Sequence, residues 1–456
     1  SIAVVPFTNV GDDPANAYLA DGLTEEIITG LSRLRTLRVA ARGSSYALRG
    51  SADPVAVGQR LRVDTVLEGS VQRAADRIRV SARLVDTGDG LERWATRFDR
   101  RFDDVFAMQD ELSTAIVHTL KATLLGADAP AAPATPTTSA AAFERYLKGR
   151  FAWNSRTEDG LGQAIEHFLD AAALDPRYAP AYAGLGDTYA VLGTYGARAP
   201  RDVFPRAREH AARARAIDPS LAEAHATIGL VACVHERDWV RAADAFRRAI
   251  TLQPGYSTAY QWRAVALHAP RGDFAAALED LAEARTRDPL SLPVRVSEGI
   301  VLAFARRVDD AIAAHERTLA DLPESPIAAF FLGQALLQAG RPAEAARAIE
   351  RAIGRVRQTP EMLAVLAQAR AALGDTDRAR TMGRELERLR ETRYVSPALI
   401  AQLHLALGED GLAQSWLDRA ADEEDAELLY LDVRPVYDRL RDTDGFAEVR
   451  ERARLA

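Results

Sequence analysis

The stretch Tyr182-Ala183-Gly184-Leu185-Gly186-Asp187-Thr188-Tyr189-Ala190-Val191-Leu192-Gly193 decides how most of this chain folds. Tyr182, Leu185 and Tyr189 recur three and four residues apart, so they share one face of a helix. Gly186 beside them leaves room for a second helix to cross closely. The pattern returns as His225-x-x-Ile228-Gly229 and as Leu332-Gly333-x-x-Leu336-x-x-x-Gly340, and Gly272, Gly374 and Gly408 mark the matching turn of three more copies. Between these runs a second pattern: alanine, a usually larger residue four positions on, a small one three beyond. It reads Ala164/Phe168/Ala171, Ala207/Ala211/Ala214, Ala242/Phe246/Ala249, Ala277/Leu281/Ala284 and Ala311/His315/Thr318, with weaker copies at Ala345/Ile349/Ala352, Ala379/Gly383/Leu386 and Ala413/Leu417/Ala420. The first alanines are 43, 35, 35, 34, 34, 34 and 34 residues apart. So steady a period predicts stacked helical hairpins, about eight of them over 141–456, forming a right-handed solenoid with Leu428–Ala456 as its cap. Gly229 and Gly333 are expected where the two helices of a hairpin meet.

Upstream, residues 1–125 alternate strand and helix signals and predict an α/β domain with a mixed sheet. Ile2–Phe7 is a short apolar strand, followed by a helix with Leu23, Ile27, Ile28, Leu31 and Leu34 on one face and Thr24 as its N-cap. Leu37–Ala41 reads as a second strand, Pro54–Leu61 as a short helix, and Asp64–Gln72, Arg77–Asp86 and Glu92–Phe98 as three strands. The middle one alternates Ile78, Val80, Ala82 and Leu84 with Arg77, Arg79, Ser81 and Arg83, which fits antiparallel pairing with one buried face. Val105–Leu125 is expected as a closing helix. Residues 126–140, rich in Ala, Pro and Thr with no large apolar side chain, read as a linker.

Composition narrows the function. The 456 residues carry 58 Lys+Arg against 65 Asp+Glu, a net charge of −7, which argues against direct nucleic-acid binding. One cysteine, Cys233, excludes an internal disulfide framework and multi-cysteine metal sites. No run approaches 18 consecutive apolar residues, so no membrane span is expected in this chain. The opening Ser1-Ile2-Ala3-Val4-Val5-Pro6-Phe7 reads as a strand already under way, and the expectation is a piece cut from a longer protein.

The helical region resembles the tetratricopeptide-repeat family. The first 125 residues look like the TolB-like (FlgO-like) domain of bacterial multidomain proteins. That resemblance rests on Ile2–Phe7, Ala20-Asp21-Gly22-Leu23-Thr24-Glu25-Glu26-Ile27, Val66-Leu67-Glu68-Gly69-Ser70-Val71, Arg79-Val80-x-x-x-Leu84-Val85-Asp86 and Trp94-x-x-x-Phe98-Asp99-Arg100. Such pairs sit beside winged-helix, serine/threonine kinase or adenylate cyclase domains, often across a membrane. The resemblance therefore implies the sensory or scaffolding part of a signalling protein, with an extracytoplasmic placement favoured over a cytoplasmic one.

No chemistry-bearing motif competes with this. Gly184-Leu185-Gly186 lacks the third glycine and preceding strand of a dinucleotide loop, and no Walker loop, HExxH or Gly-x-Ser-x-Gly occurs, so no cofactor or metal is expected. His225, His315 and His404 fall at packing positions of three different units, and Cys233 on an apolar face. Arg77, Arg79, Arg83 and Arg97 form a basic stripe, read as a solvated face balanced by Asp76, Asp86 and Asp99, or as a docking surface for an acidic partner. The leading function is a non-enzymatic module that binds a protein or peptide, with upstream domains of the same polypeptide as further partners. A small-ligand sensor is the alternative. The concave face predicts the binding groove, with Trp262 and Phe330 as exposed aromatic anchors and Gln334, Gln368 and Gln402 bonding a peptide backbone.

Overall fold

A computed structural model of the chain describes residues 1–11, 16–32, 37–51, 53–105, 111, 115, 137 and 139–455. The expected helix over Val105–Leu125 and linker over 126–140 lie outside the described residues, except at 105, 111, 115, 137, 139 and 140. Leu34 is outside them as well.

The first region is built on a five-stranded mixed sheet: β1 (Ile2–Val4), β2 (Thr8–Asn9), β3 (Thr65–Ala74), β4 (Arg77–Asp86) and β5 (Glu92–Arg101). β1 and β2 run parallel to β3, and β3, β4 and β5 pair antiparallel. Val80 stands opposite Val71 on one side and Phe98 on the other. Ile78, Val80, Ala82 and Leu84 are buried, and the helix Ala17–Ser32 lays Leu19, Leu23, Ile27 and Leu31 in the same core. Asp53 caps the helix Pro54–Leu61 by accepting from the Val55 N–H at 2.9 Å.

Two local expectations need correction. Thr24 is no N-cap: the helix starts at Ala17, and Thr24 is buried in its middle. Its hydroxyl donates to the Ala20 carbonyl (2.7 Å) and accepts from the Phe7 N–H (3.0 Å), so the side chain ties strand to helix instead of starting one. The strand expected over Leu37–Ala41 shrinks to one bridge, Val39 beside Ile2. Beyond it the chain is drawn away, for the Ala41 N–H donates to the Arg287 carbonyl at 3.3 Å and Arg42–Tyr46 coils into a short helix.

From 139 onward the described residues contain no strand. Eight antiparallel helix pairs follow one another: Ala140–Asn154 with Glu158–Leu174, Ala179–Thr194 with Pro200–Ile217, Ala222–Glu236 with Trp239–Leu252, Ser257–His268 with Phe274–Arg287, Leu292–Phe304 with Val308–Asp321, Pro326–Gln338 with Pro342–Ile353, Pro360–Ala372 with Thr376–Leu389, and Pro397–Ala406 with Asp410–Asp422. The second helices carry the alanine pattern, and Phe168, Phe246, Leu281, Ile349 and Leu417 are all buried with their flanking small residues. The tight turns after the first helices of the fourth, sixth, seventh and eighth pairs place Gly272, Gly340, Gly374 and Gly408 at φ of 72–84°, where a side chain is strained.

The crossing glycines do what close packing requires. A Cβ on Gly333 would stand 2.4 Å from Cδ1 of Ile349, and one on Gly229 3.0 Å from the Phe246 ring. Gly333→Leu is therefore expected to cost about 1–3 kcal/mol by overpacking, read as a lowered urea midpoint at unchanged slope. A midpoint equal to that of the parent chain refutes this packing.

The C-terminal segment does not simply extend the stack. Its 3-10 turns Ala426–Tyr430 and Pro435–Leu440 and the helix Asp444–Arg452 reach back to earlier hairpins. Leu429 joins the core of the first four pairs, Tyr430 meets Phe304 at a tilt with centroids 5.1 Å apart, and Val433 packs in the core of the fourth and fifth. Arg306 pairs with Asp438 at 2.7 Å, His235 approaches Glu424 at 3.5 Å, and Arg237 donates to the Ala453 carbonyl at 3.3 Å.

Candidate interaction surfaces

The five residues expected to line an open groove are mostly covered. Trp262 and Phe330 are each only 9% exposed, so they are not the exposed aromatic anchors expected from the repeat register. Trp262 packs with Leu230, Leu267 and Leu429, and Phe330 with Val296, Met362 and the edge of Phe331. Gln402, 3% exposed, donates to the Tyr437 hydroxyl at 3.0 Å; Gln368, 6% exposed, has no partner for its Nε2. Gln334 is half-buried. The cause is tertiary: the chain's own C-terminal segment lies over part of the face that the register leaves open.

The N-terminal region also docks on the array. Glu25 projects from the helix Ala17–Ser32 to Arg150 and Asn154 on the first helix of the first hairpin. Arg150 Nε donates to its carboxylate at 2.8 Å, Arg42 Nε at 3.1 Å and Asn154 Nδ2 at 3.3 Å. Burial alone would raise the Glu25 carboxyl, but Arg150 and Arg42 overcome that and hold it below the usual carboxylate range. A second clamp sits beside it. The Tyr18 hydroxyl donates to Glu144 at 2.6 Å, Arg73 reaches Glu144 at 3.0 Å and Lys148 at 3.1 Å. Burial works against ionisation of Glu144 too, yet these donors bring it down to about 2. Far along the chain, Asp288 accepts from the Ser44 N–H (2.6 Å) and hydroxyl (2.5 Å), and the Leu290 N–H donates to that hydroxyl at 2.8 Å. The N-terminal region thus touches both the first hairpin and the junction of the fourth and fifth.

Next to this contact, Asp187 is buried on the second hairpin, where burial pushes it up to about 7 although the Thr227 hydroxyl donates to it and Arg150 lies near. Arg156 stacks over Trp153 at 3.5 Å, and burial lowers its pKa. Sequence reading missed this cluster, because Arg150 and Asn154 stand 125 and 129 residues away from Glu25 and no local pattern joins them. The basic stripe is largely neutralised: Arg77 and Arg79 both pair with Asp99, at 2.6 and 2.7 Å, and Arg83 with Glu68 at 2.5 Å.

The outer face carries the openings. A cleft of about 330 Å³ between the fourth and fifth hairpins is lined by Arg285, Arg295, Glu298, Arg317 and Asp321, and a contiguous one of about 240 Å³ by Leu278, Leu281, Leu302 and Arg307 together with the same Arg285, Glu298 and Arg317.

A model of the tetratricopeptide repeat matches residues 296–362 and 335–394. Residues 296–394 carry tetratricopeptide repeats. For residues 1–115 the matching family model is described as the second domain of HilA/YgeH-like transcriptional regulators, a different description from the TolB-like resemblance. A curated relative, the putative adenylate cyclase 3 of Rhizobium meliloti, is 38% identical over 189 residues, 41% of this chain and 32% of the relative. The chain therefore spans about a third of that relative's length. Among solved structures, PilF of Pseudomonas aeruginosa is 21% identical, with a TM-score of 0.34 over 46% of this chain and 94% of its own. A tetratricopeptide-repeat protein of Parabacteroides merdae is 14% identical, with a TM-score of 0.41 over 59% and 99%. No described helix of this repeat protein is long and apolar enough to cross a membrane.

Proposed function

We propose that this chain is a non-catalytic interaction module within a larger regulator, in which the repeat array holds a protein partner and the N-terminal region passes that state to an output domain. The observation that carries the reading is the double docking of the N-terminal region, through Glu25 on Arg150 and through Ser44 on Asp288. A partner that shifts the fourth and fifth hairpins relative to the first changes both contacts at once. The likeness to regulators and to a protein named as an adenylate cyclase supports membership of a larger regulator, and the TolB-like resemblance points the same way. A stacked array of hairpins with wide side faces suits a protein partner.

The test is capture on the immobilised full chain followed by cross-linking to map where the retained protein sits. A protein held at defined array residues, whose binding raises hydrogen exchange at 17–32 or 41–46, is the expected result. No retained protein, together with a melting shift on a panel of metabolites, selects the small-ligand sensor instead. Turnover of any of those metabolites by the isolated chain refutes the non-catalytic reading.

A further inference from the structure

The cleft between the fourth and fifth hairpins lies where the first helix of the fifth carries charged residues at two of its packing positions. At the residue just before the packing glycine, other hairpins carry Leu185, Ile228 and Leu332; the fifth carries Glu298. Four residues before it, the second hairpin has Tyr182 and the fifth has Arg295. The two contiguous clefts lie between the second helices Phe274–Arg287 and Val308–Asp321, with Arg295 and Glu298 lining the first and Glu298 the second beside Leu278, Leu281 and Leu302.

Their chemistry is asymmetric. Arg285 pairs with Glu298 at 2.9 Å, Arg307 with Asp310 at 2.7 Å, and Arg295 with Asp321. Arg317 lines both clefts and has no carboxylate partner among the described residues. Each cleft is lined by three arginines and two carboxylates, a surplus of one positive charge, and the second alone adds Leu278, Leu281 and Leu302. A lone oxyanion leaves those leucines unused.

We infer that this cleft is a docking site for an acidic peptide segment of the protein partner, with a carboxylate on Arg317 and Arg285 and a neighbouring apolar side chain on the leucine floor. The inference rests on the interaction-module reading and names the partner's chemistry. A guanidinium fork beside a carboxylate gives charge-assisted, directional hydrogen bonds, and the adjoining apolar floor fixes register. Arg317 is exposed and unpaired, so reversing its charge leaves the fold in place.

The experiment is fluorescence anisotropy of a labelled peptide of alternating Glu and Leu, titrated with the full chain. Saturable binding is expected, weakened on the order of tenfold or more in Arg317→Glu, with an unchanged melt. A matching Gln–Leu peptide is expected to bind no better than the variant, and excess acetate or inorganic phosphate to leave the Glu–Leu peptide bound. Equal binding by Arg317→Glu or by the Gln–Leu peptide overturns the site, and displacement by acetate or phosphate reduces it to a small-anion site. If Arg317→Glu still retains the protein captured by the parent chain, the cleft assignment falls while the module reading stands. If the parent chain retains no protein, the module reading itself has failed.

Discussion

Glu25→Ala is expected to lower the free energy of unfolding by about 3–5 kcal/mol, the cost of breaking a buried ion pair from one side. Glu25 is 7% exposed, so salt and water screen it little. Burial disfavours charge on both Glu25 and Arg150, and each holds the other ionised. Removing the carboxylate leaves Arg150 and Arg42 facing one another without a counter-charge, and Asn154 loses an acceptor. The loss should also separate the N-terminal region from the array, seen as two melting transitions where the parent shows one. Glu25→Gln keeps the shape and most donors' acceptor, and is expected to fall in between. A loss below about 1 kcal/mol for the alanine variant, typical of a surface pair, contradicts this account.

The second large effect concerns pH. Asp187 is 2% exposed and pushed up to about 7 by burial, against about 3.9 in an unfolded chain. Between those values the folded protein keeps a proton that the unfolded chain has released, so stability falls as pH rises through the window. Each pH unit is worth about 1.4 kcal/mol, giving an upper bound of about 4 kcal/mol across it. Asp187→Asn removes this slope while leaving an oxygen to accept from Thr227. The variant should therefore gain on the parent steadily from pH 4 to pH 7 and hold that gain above it, as measured by urea titrations at each pH. The same difference at both ends refutes a buried, proton-holding Asp187. Because Arg150 lies near both Asp187 and Glu25, the two substitutions are expected to be non-additive.

The repeat helices were legible because their rule is local. Ala164, Phe168 and Ala171, and their counterparts every 34 or 35 residues, must be small or bulky wherever two helices cross, and the buried second helices obey it. The alternation of β4 was equally plain, since a sheet with one covered face sorts side chains by twos. What failed was whatever depends on distant chain. Ala41 leaves the sheet because Arg287 offers a carbonyl, and periodicity over Leu37–Ala41 holds no trace of that. Trp262 is covered in a core that Leu429 joins from far along the chain, and Gln402 by Tyr437 of the segment that follows the last hairpin. The Glu25 cluster was hidden for the same reason: a carboxylate in the middle of a helix looks solvated until its cations come from two other elements.

An open stack of hairpins has two frayed ends, since a terminal hairpin has one neighbour to hold it and peels away first. This array has had its ends tied off. Arg393, after the seventh hairpin, bonds Glu158 in the first at 3.0 Å, 235 residues earlier, and Arg237 bonds the carbonyl of Ala453 across 216 residues. Peeling the last hairpin then costs contacts with the first five as well as with its neighbour. A single cooperative melt is therefore expected in place of the piecemeal unzipping natural to repeat proteins. Its folding slows in return, because sequence separations that long must close before the final contacts contribute.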